Sequence, residues 1–171
     1  IADTPEKQKR YYEAIHVRAM DMEALVDSLS VFSRLENRHH RYQLELVDMK
    51  EYLEQLLEEY KEEAEQKKIT LLMEWTARNT QVKLDLQEMH RVFVNLFENS
   101  VKYRTKENSV IRITLRNQGN QLEIRVSDDG PGVQESELSK IFNSFYRGDE
   151  SRTKPGSGSG LGLAIVKQII E

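Results

Sequence analysis

The 171-residue chain contains no cysteine. Disulfides, thiolate zinc centres and a cysteine nucleophile are therefore excluded, and a reducing compartment fits. No run of ~18 apolar residues occurs, so nothing reads as a membrane span. No secretory pattern opens the chain. Positive charge is not in excess: 25 Lys and Arg stand against 29 Asp and Glu, a formal net charge of -4. Binding to a nucleic-acid backbone is thus a poor candidate for the main task. Proline is scarce at three residues, and glycine at eight. Half of those glycines fall in one short stretch, "PGSGSGLGLAI" (155–165). A charged fraction of 32% and a mean hydropathy of -0.67 describe a soluble, highly charged protein. The first residue is Ile1 rather than Met, so a piece of something longer is expected.

Thr4-Pro5 reads as a helix start, with Thr4 as N-cap and Pro5 at the first helical position. No Gly or Pro follows until beyond Glu36. Apolar residues recur at Tyr12, Ile15, Ala19, Met22, Val26 and Leu29, in alternating steps of three and four, which is a heptad seam. The helix would be ~48 Å long. It cannot bury that narrow stripe alone, so a partner helix is expected from elsewhere. The seam ends near "SRLENRHHRYQ", a polar boundary. Asp48 then caps a helix to about Lys68. "ITLLMEW" (69–75) and "QVKLDL" (81–86) read as strands, and 87–103 as an amphipathic helix. Residues 109–117 and 121–128 alternate apolar and polar and form a hairpin across Gln118-Gly119-Asn120. Residues 135–145 suggest a short helix. The stretch from about Asn143 to Ser159 is expected to be a mobile loop, followed by a closing helix. This order argues for an α+β fold, with helices on one face of a mixed, mainly antiparallel sheet.

Three stretches carry possible chemistry. The glycine run fails both common nucleotide loops: no Lys follows as a P-loop requires, and the spacing is not G-x-G-x-x-G after a strand. Bare backbone N–H groups before a helix still make an anion site; a flexible linker is an equally good reading. "SDDGPGV" (127–133) is a turn in most contexts. Its Asp128, as an acceptor-only carboxylate, would also pair with the exocyclic amine of adenine and reject guanine. In "NLFENSVKY" (95–103), Asn95, Asn99 and Lys102 share one side of a helix. An Asn carbonyl oxygen suits Mg2+ and Lys102 suits phosphate, although a solvated polar face reads the same way.

These stretches occur in the order N-L-x-x-N-x-x-K-Y, D-x-G-x-G, F-x-x-F-Y-R ("FNSFYR", 142–147) and G-x-G-L-G-L. That order and spacing resemble the N, G1, F and G2 boxes of sensor histidine kinases. "LVDSLSVFSRLE" (25–36) is similar to the second helix of that family's dimerisation and phosphotransfer domain, so the resemblance spans nearly the whole chain. It implies residues 1–38 as that helix and 39–171 as an ATP-binding catalytic domain with the GHKL (Bergerat-type) α/β sandwich. The implied activity is transfer of the ATP γ-phosphoryl to a histidine, for passage to a response-regulator aspartate. By the same resemblance Asn99 ligates Mg2+ and Asn95 supports that site. Lys102 contacts phosphate and Tyr103 packs near the nucleotide. Asp128 reads adenine, with Gly130 and Gly132 allowing close approach. Gly158, Gly160, Leu161 and Gly162 wrap the triphosphate, and Arg147 stabilises charge on the γ-phosphoryl. Phe142 and Phe145 anchor the lid.

Asp129 stands where many members have Asn, and Ser100 where many have Ala; neither removes a needed group. None of His16, His39, His40 or His90 has the family's phosphoacceptor context, so that helix is expected before Ile1. This chain alone is expected to bind nucleotide without labelling itself. The implied partners are a response-regulator receiver domain and a second copy through the helical domain, in the cytoplasm, with the parent sometimes membrane-anchored. Three other readings compete: a GHKL ATPase of the gyrase, MutL or Hsp90 kind, an anti-sigma-type serine kinase, and a non-catalytic dimerisation module. The first needs a Glu base where Asn95 stands.

Overall fold

A computed structural model of the chain describes residues 4–37, 40–148 and 158–171. In chain order its elements are α1 (Pro5–Glu36), β1 (Glu45–Asp48), α2 (Met49–Gln66), β2 (Ile69–Trp75), β3 (Gln81–Leu84), α3 (Leu86–Lys102), β4 (Ser109–Gln118), β5 (Gln121–Asp128), α4 (Glu135–Leu138) and α5 (Gly162–Ile170). They divide into two units, one drawn from Ile1–His40 with Glu135–Glu171 and the other from Arg41–Gln134. The α+β class read from the sequence is the class observed.

In Arg41–Gln134, β4 is the central strand of a three-stranded sheet. It pairs in parallel with β2, from Ile69↔Ser109 to Trp75↔Leu115. On its other edge it pairs antiparallel with β5, from Ile111↔Asp128 to Gln118↔Gln121. β1 and β3 form a separate antiparallel pair. The sheet is mixed because the β2-to-β4 connection carries β3 and α3, a crossover long enough for parallel pairing. Alternation on β4 aims Ile111, Ile113 and Leu115 at the core, where each is at most 2% exposed. Met49, Leu53 and Leu56 from α2 and Phe93 and Phe97 from α3 close over them. Tyr60 stacks on Phe97 with ring centroids 5.2 Å apart.

Side-chain caps set where the helices begin. Asp48 Oδ1 accepts from the N–H groups of Lys50 and Glu51 and from the Thr80 hydroxyl, which ties the start of α2 to the start of β3. These bonds, the Thr80 one foremost, hold its carboxyl below the ordinary range. Asp85 Oδ1 accepts from Glu88 N–H while its Oδ2 accepts from Gln43 N–H. The strand expected over 81–86 therefore stops at Leu84: Asp85 is an N-cap and Leu86 already lies in the helix. β1 was not expected, because four residues with only two partly buried are too few for a period-two pattern.

In the other unit, Thr4 caps α1 as expected, with Oγ1 accepting from Lys7 N–H at 3.4 Å. The seam residues Tyr12, Ile15, Met22, Val26 and Leu29 are between 46% and 71% exposed. Only the far end of α1 is covered: Leu35, with Val31 and Phe32, packs against Leu161, Ile165 and Ile169. α4 is shorter than the helix expected over 135–145. Its path continues as turns, with Lys140 and Ile141 N–H both donating to Glu137 C=O and Asn143 N–H to Lys140 C=O. Phe145 then takes a left-handed conformation, φ 63°, which ends any helix. Of the loop expected over 143–159, residues 149–157 lie outside the described residues.

Lys68, just past α2, has φ 54°. A left-handed non-glycine residue costs about 1 kcal/mol. Its Nζ also pairs with Glu107 at 2.8 Å. In a Glu107→Gln background, which removes that pair, Lys68→Gly should raise stability by about 1 kcal/mol. A urea midpoint that stays level or falls would show that the turn is unstrained.

Candidate functional site

Burial of Phe93 and Phe97 fixes the rotation of α3. Asn95, Asn99 and Lys102 consequently share a different face, as the sequence spacing requires. Asn95 Nδ2 donates to Arg91 C=O at 2.8 Å, which orients its amide. Among the described residues nothing donates to its Oδ1. The half-buried Asn99 carboxamide has no hydrogen-bond partner among the described residues, so a hard neutral oxygen is available there. Lys102 Nζ lies 4.8 Å from the centroid of the exposed Tyr103 ring. Tyr103 N–H closes the helix on Asn99 C=O at 2.9 Å.

Asp128 ends β5. Its Oδ1 accepts from Gly130 N–H at 2.9 Å. A Cβ on residue 130 would stand 2.7 Å from that oxygen, so a side chain there would push the Asp128 carboxylate from its present position. Its Oδ2 accepts from the Ser100 hydroxyl at 3.0 Å. Gly132 follows in the same turn. Asp128 and Asn99 thus belong to one locality of one unit, because Ser100 links the strand end to the helix that carries Asn99.

The adjacent carboxylate does different work. Asp129 Oδ1 accepts from Val110 N–H at 3.0 Å and its Oδ2 faces Lys106 Nζ at 3.4 Å. The Val110 bond, followed by Lys106, holds its carboxyl below the usual range. Asp129 therefore staples the turn to the first residues of β4. A crevice of about 320 Å3 elsewhere in this unit is lined by Tyr60, Ala64, Phe97, Glu98 and Val101 among others. It lies along another face of α3 and includes none of Asn95, Asn99 or Asp128.

In the other unit, the "FNSFYR" stretch and the glycine run are joined directly. Phe145 N–H donates to Gly160 C=O at 3.0 Å. Gly160 has φ 73°, and a Cβ there would stand 2.9 Å from the Phe145 carbonyl carbon and the Tyr146 carbonyl oxygen. Tyr146 O–H donates to Glu137 Oε1 at 2.9 Å. The stretch is therefore held by backbone and by a tyrosine hydroxyl, whereas the Phe142 and Phe145 rings are exposed. Arg147 is half-buried. Gly158 opens the second part of this pairing, Ser159 Oγ accepts from Leu161 N–H at 3.2 Å, and Gly162 begins α5. Leu161 is fully buried against Leu35 and Ile165.

Residues 84–171 match the profile of the family described as "Histidine kinase-, DNA gyrase B-, and HSP90-like ATPase", and the chain belongs to that family. Among relatives is the sensor protein kinase WalK of Staphylococcus haemolyticus, 32% identical over 148 residues, covering 86% of this chain and 24% of WalK. The chain thus spans about a quarter to a third of the curated relatives it matches. The nucleotide-free catalytic domain of histidine kinase ThkA superposes with a TM-score of 0.65 at 27% identity, covering 75% of this chain and 80% of that one. Full-length ShkA in complex with AMPPNP gives a TM-score of 0.76 at 25% identity, covering 99% of this chain and 34% of ShkA. Within the family, the chain is an ATP-binding catalytic domain of the sensor histidine kinase type.

Two residues with definite partners here, Ser100 and Asp129, were noted in the sequence only as departures from a family pattern. The signal was present as a hydroxyl directly after Asn99 and a second carboxylate after Asp128. Neither reveals its partner without the pairing of β4 and β5.

Asp129 is charged at lower pH in the folded state than in the unfolded one. Its contribution is fully present above the unfolded value of about 4 and disappears as pH falls through the depressed folded value. Asp129→Asn should leave the Val110 contact possible and flatten the acid side of the stability profile, read from urea midpoints between about pH 2 and pH 6. An unchanged acid slope would contradict the staple. Separately, Gly160→Ala combines a left-handed φ with a backbone clash. It should cost about 2–3 kcal/mol locally and speed amide exchange at Phe145 by roughly 30- to 150-fold; exchange at the wild-type rate would refute the close approach.

Proposed function

We propose that the chain binds ATP with Mg2+ and serves as the catalytic part of a sensor histidine kinase, transferring the γ-phosphoryl to a histidine outside this chain. An aspartate on a response-regulator receiver domain would then receive it. The observation that carries this reading is the Ser100–Asp128 hydrogen bond. It couples an oriented carboxylate, suited to the amine of adenine, to the helix bearing an Asn99 amide that has no other partner among the described residues.

The donor set fits Mg2+. Asn99 and Asn95 offer neutral hard oxygens. Among the described residues no three His, Cys, Asp or Glu gather as a metal cage. Such a site suits an ion that keeps its waters and shares phosphate oxygens with the nucleotide. An ion held by Asn99, with Asn95 in support, would supply neutralisation of charge on the phosphates. Lys102 adds a point charge for phosphate, and Tyr103 flanks the nucleotide. Gly130 and Gly132 let the turn approach the base. In the other unit we assign Gly158, Gly160 and Gly162 to backbone contact with the phosphates, Leu161 to anchoring that segment, and Arg147 to stabilising the γ-phosphoryl in transfer.

A GHKL ATPase is not favoured, because Asn95 cannot accept a proton from water and its amide is bonded to its own helix. No helix among the described residues is long and apolar enough to cross a membrane. We assign the chain to the cytoplasmic part of its parent and the exposed α1 seam to pairing with helices of a second copy.

Calorimetry with Mg2+ tests this reading. Asp128→Ala should weaken ATP binding by at least about 100-fold, the scale of an oriented hydrogen-bonding site left unpaired. Asn99→Ala should abolish the gain in affinity that Mg2+ confers while sparing metal-free ADP binding to within a few-fold. Absence of ATP binding by the wild-type chain, or full binding by Asp128→Ala, would overturn the reading.

A further inference from the structure

Three polar or charged residues are buried among those described, and Ser100 is one of them. Its Oγ stands 3.0 Å from Asp128 Oδ2 and 3.1 Å from Leu96 C=O. A hydroxyl has one proton to give. Leu96 C=O already receives the N–H four residues on, as every interior helical carbonyl does. The carboxylate is the stronger acceptor and, among the described residues, receives no other donor on that oxygen. The proton therefore goes to Asp128.

Asp128 is then held from both sides, by Gly130 N–H on Oδ1 and by Ser100 O–H on Oδ2. The terminal torsion of an aspartate is otherwise broad and roughly two-fold. With both oxygens engaged the carboxylate plane is fixed, and its remaining lone pairs have set directions. An exocyclic amine meets an acceptor that need not be ordered on binding. A purine with a carbonyl at that position meets an acceptor that cannot rotate aside.

We propose that Ser100 is a positioning and specificity-determining residue. Through Asp128 it sets a preference for 6-aminopurine over 6-oxopurine nucleotides. This rests on the assignment of Asp128 to the purine base made above.

The test compares three ligands with Mg2+ on the full chain: ATP, GTP and purine riboside triphosphate, which lacks the 6-amino group. Ser100→Ala should weaken ATP binding by roughly 5- to 20-fold, the scale of one charge-assisted hydrogen bond. It should leave GTP and purine riboside triphosphate within about two-fold, so the ATP-to-GTP ratio falls by the same factor. Ser100→Thr, which keeps the hydroxyl, should restore ATP binding to within about three-fold; if its extra methyl unfolds the protein, the three-ligand comparison in Ser100→Ala decides alone. Equal weakening of all three ligands would mean a merely structural role and overturn the proposal, as would unchanged ATP binding. Asp128→Asn separates the two levels. If it binds ATP like wild type, the Asp128 assignment falls and the Ser100 proposal with it. If it loses ATP while Ser100→Ala does not, only the Ser100 proposal falls.

Discussion

Helix α3 buries Phe93 and Phe97 against the central strand β4, and almost everything specific about Arg41–Gln134 depends on that contact. An α-helix turns about 100° per residue, so fixing one face fixes all the others. Once the two phenylalanines are down, Asn95, Asn99 and Lys102 have no freedom in where they lie around the axis. Ser100 is turned inward, where it meets the end of β5. Replacing either phenylalanine by alanine would remove about 3–5 kcal/mol of packing, and it would also release the rotational setting of the polar face. The hydrophobic core and the polar face of α3 are therefore two faces of one mechanical part.

The same logic explains why two neighbouring carboxylates differ. Asp128 and Asp129 point to opposite sides of the extended chain, as consecutive residues at a strand end must. One reaches α3 through Ser100 and keeps lone pairs in reserve. The other is consumed by Val110 and Lys106. Where an amide could satisfy the Val110 contact, the carboxylate adds an ion pair, so Asp129 is a structural acid beside one that keeps acceptor capacity.

Much of the fold was legible in the sequence. The heptad seam of α1, the Asp48 cap, the alternation on β4 and β5 and the turn at Gly119 all follow local rules acting over a few residues. What was not legible is long-range. The parallel register of β2 on β4 comes from the crossover rather than from either strand. β1 exists because β3 is there to pair with it. The helix expected over 135–145 stops at Leu138 and its path continues as turns up to a left-handed Phe145, which no propensity favours. At the candidate site, Asn99 and Asp128 could be put forward as candidates from residue type and spacing, because few side chains offer such oxygens. Ser100 could not be given its partner, because a serine on a helix has many uses and only the tertiary pairing selects one.

The bond between Phe145 and Gly160 has an evolutionary side. Position 160 is closed to every residue that has a Cβ, since the obstacle is backbone and cannot move aside cheaply. Position 145 is the reverse case: glycine or asparagine would sit there with less strain than the phenylalanine present. The two ends of one hydrogen bond thus tolerate change very differently. Drift can relax residue 145 freely as far as the backbone is concerned, but 160 can change only after the chain at 145 has moved. The exposed Phe145 ring therefore sits at a conformational cost that the backbone bond to Gly160 does not itself require.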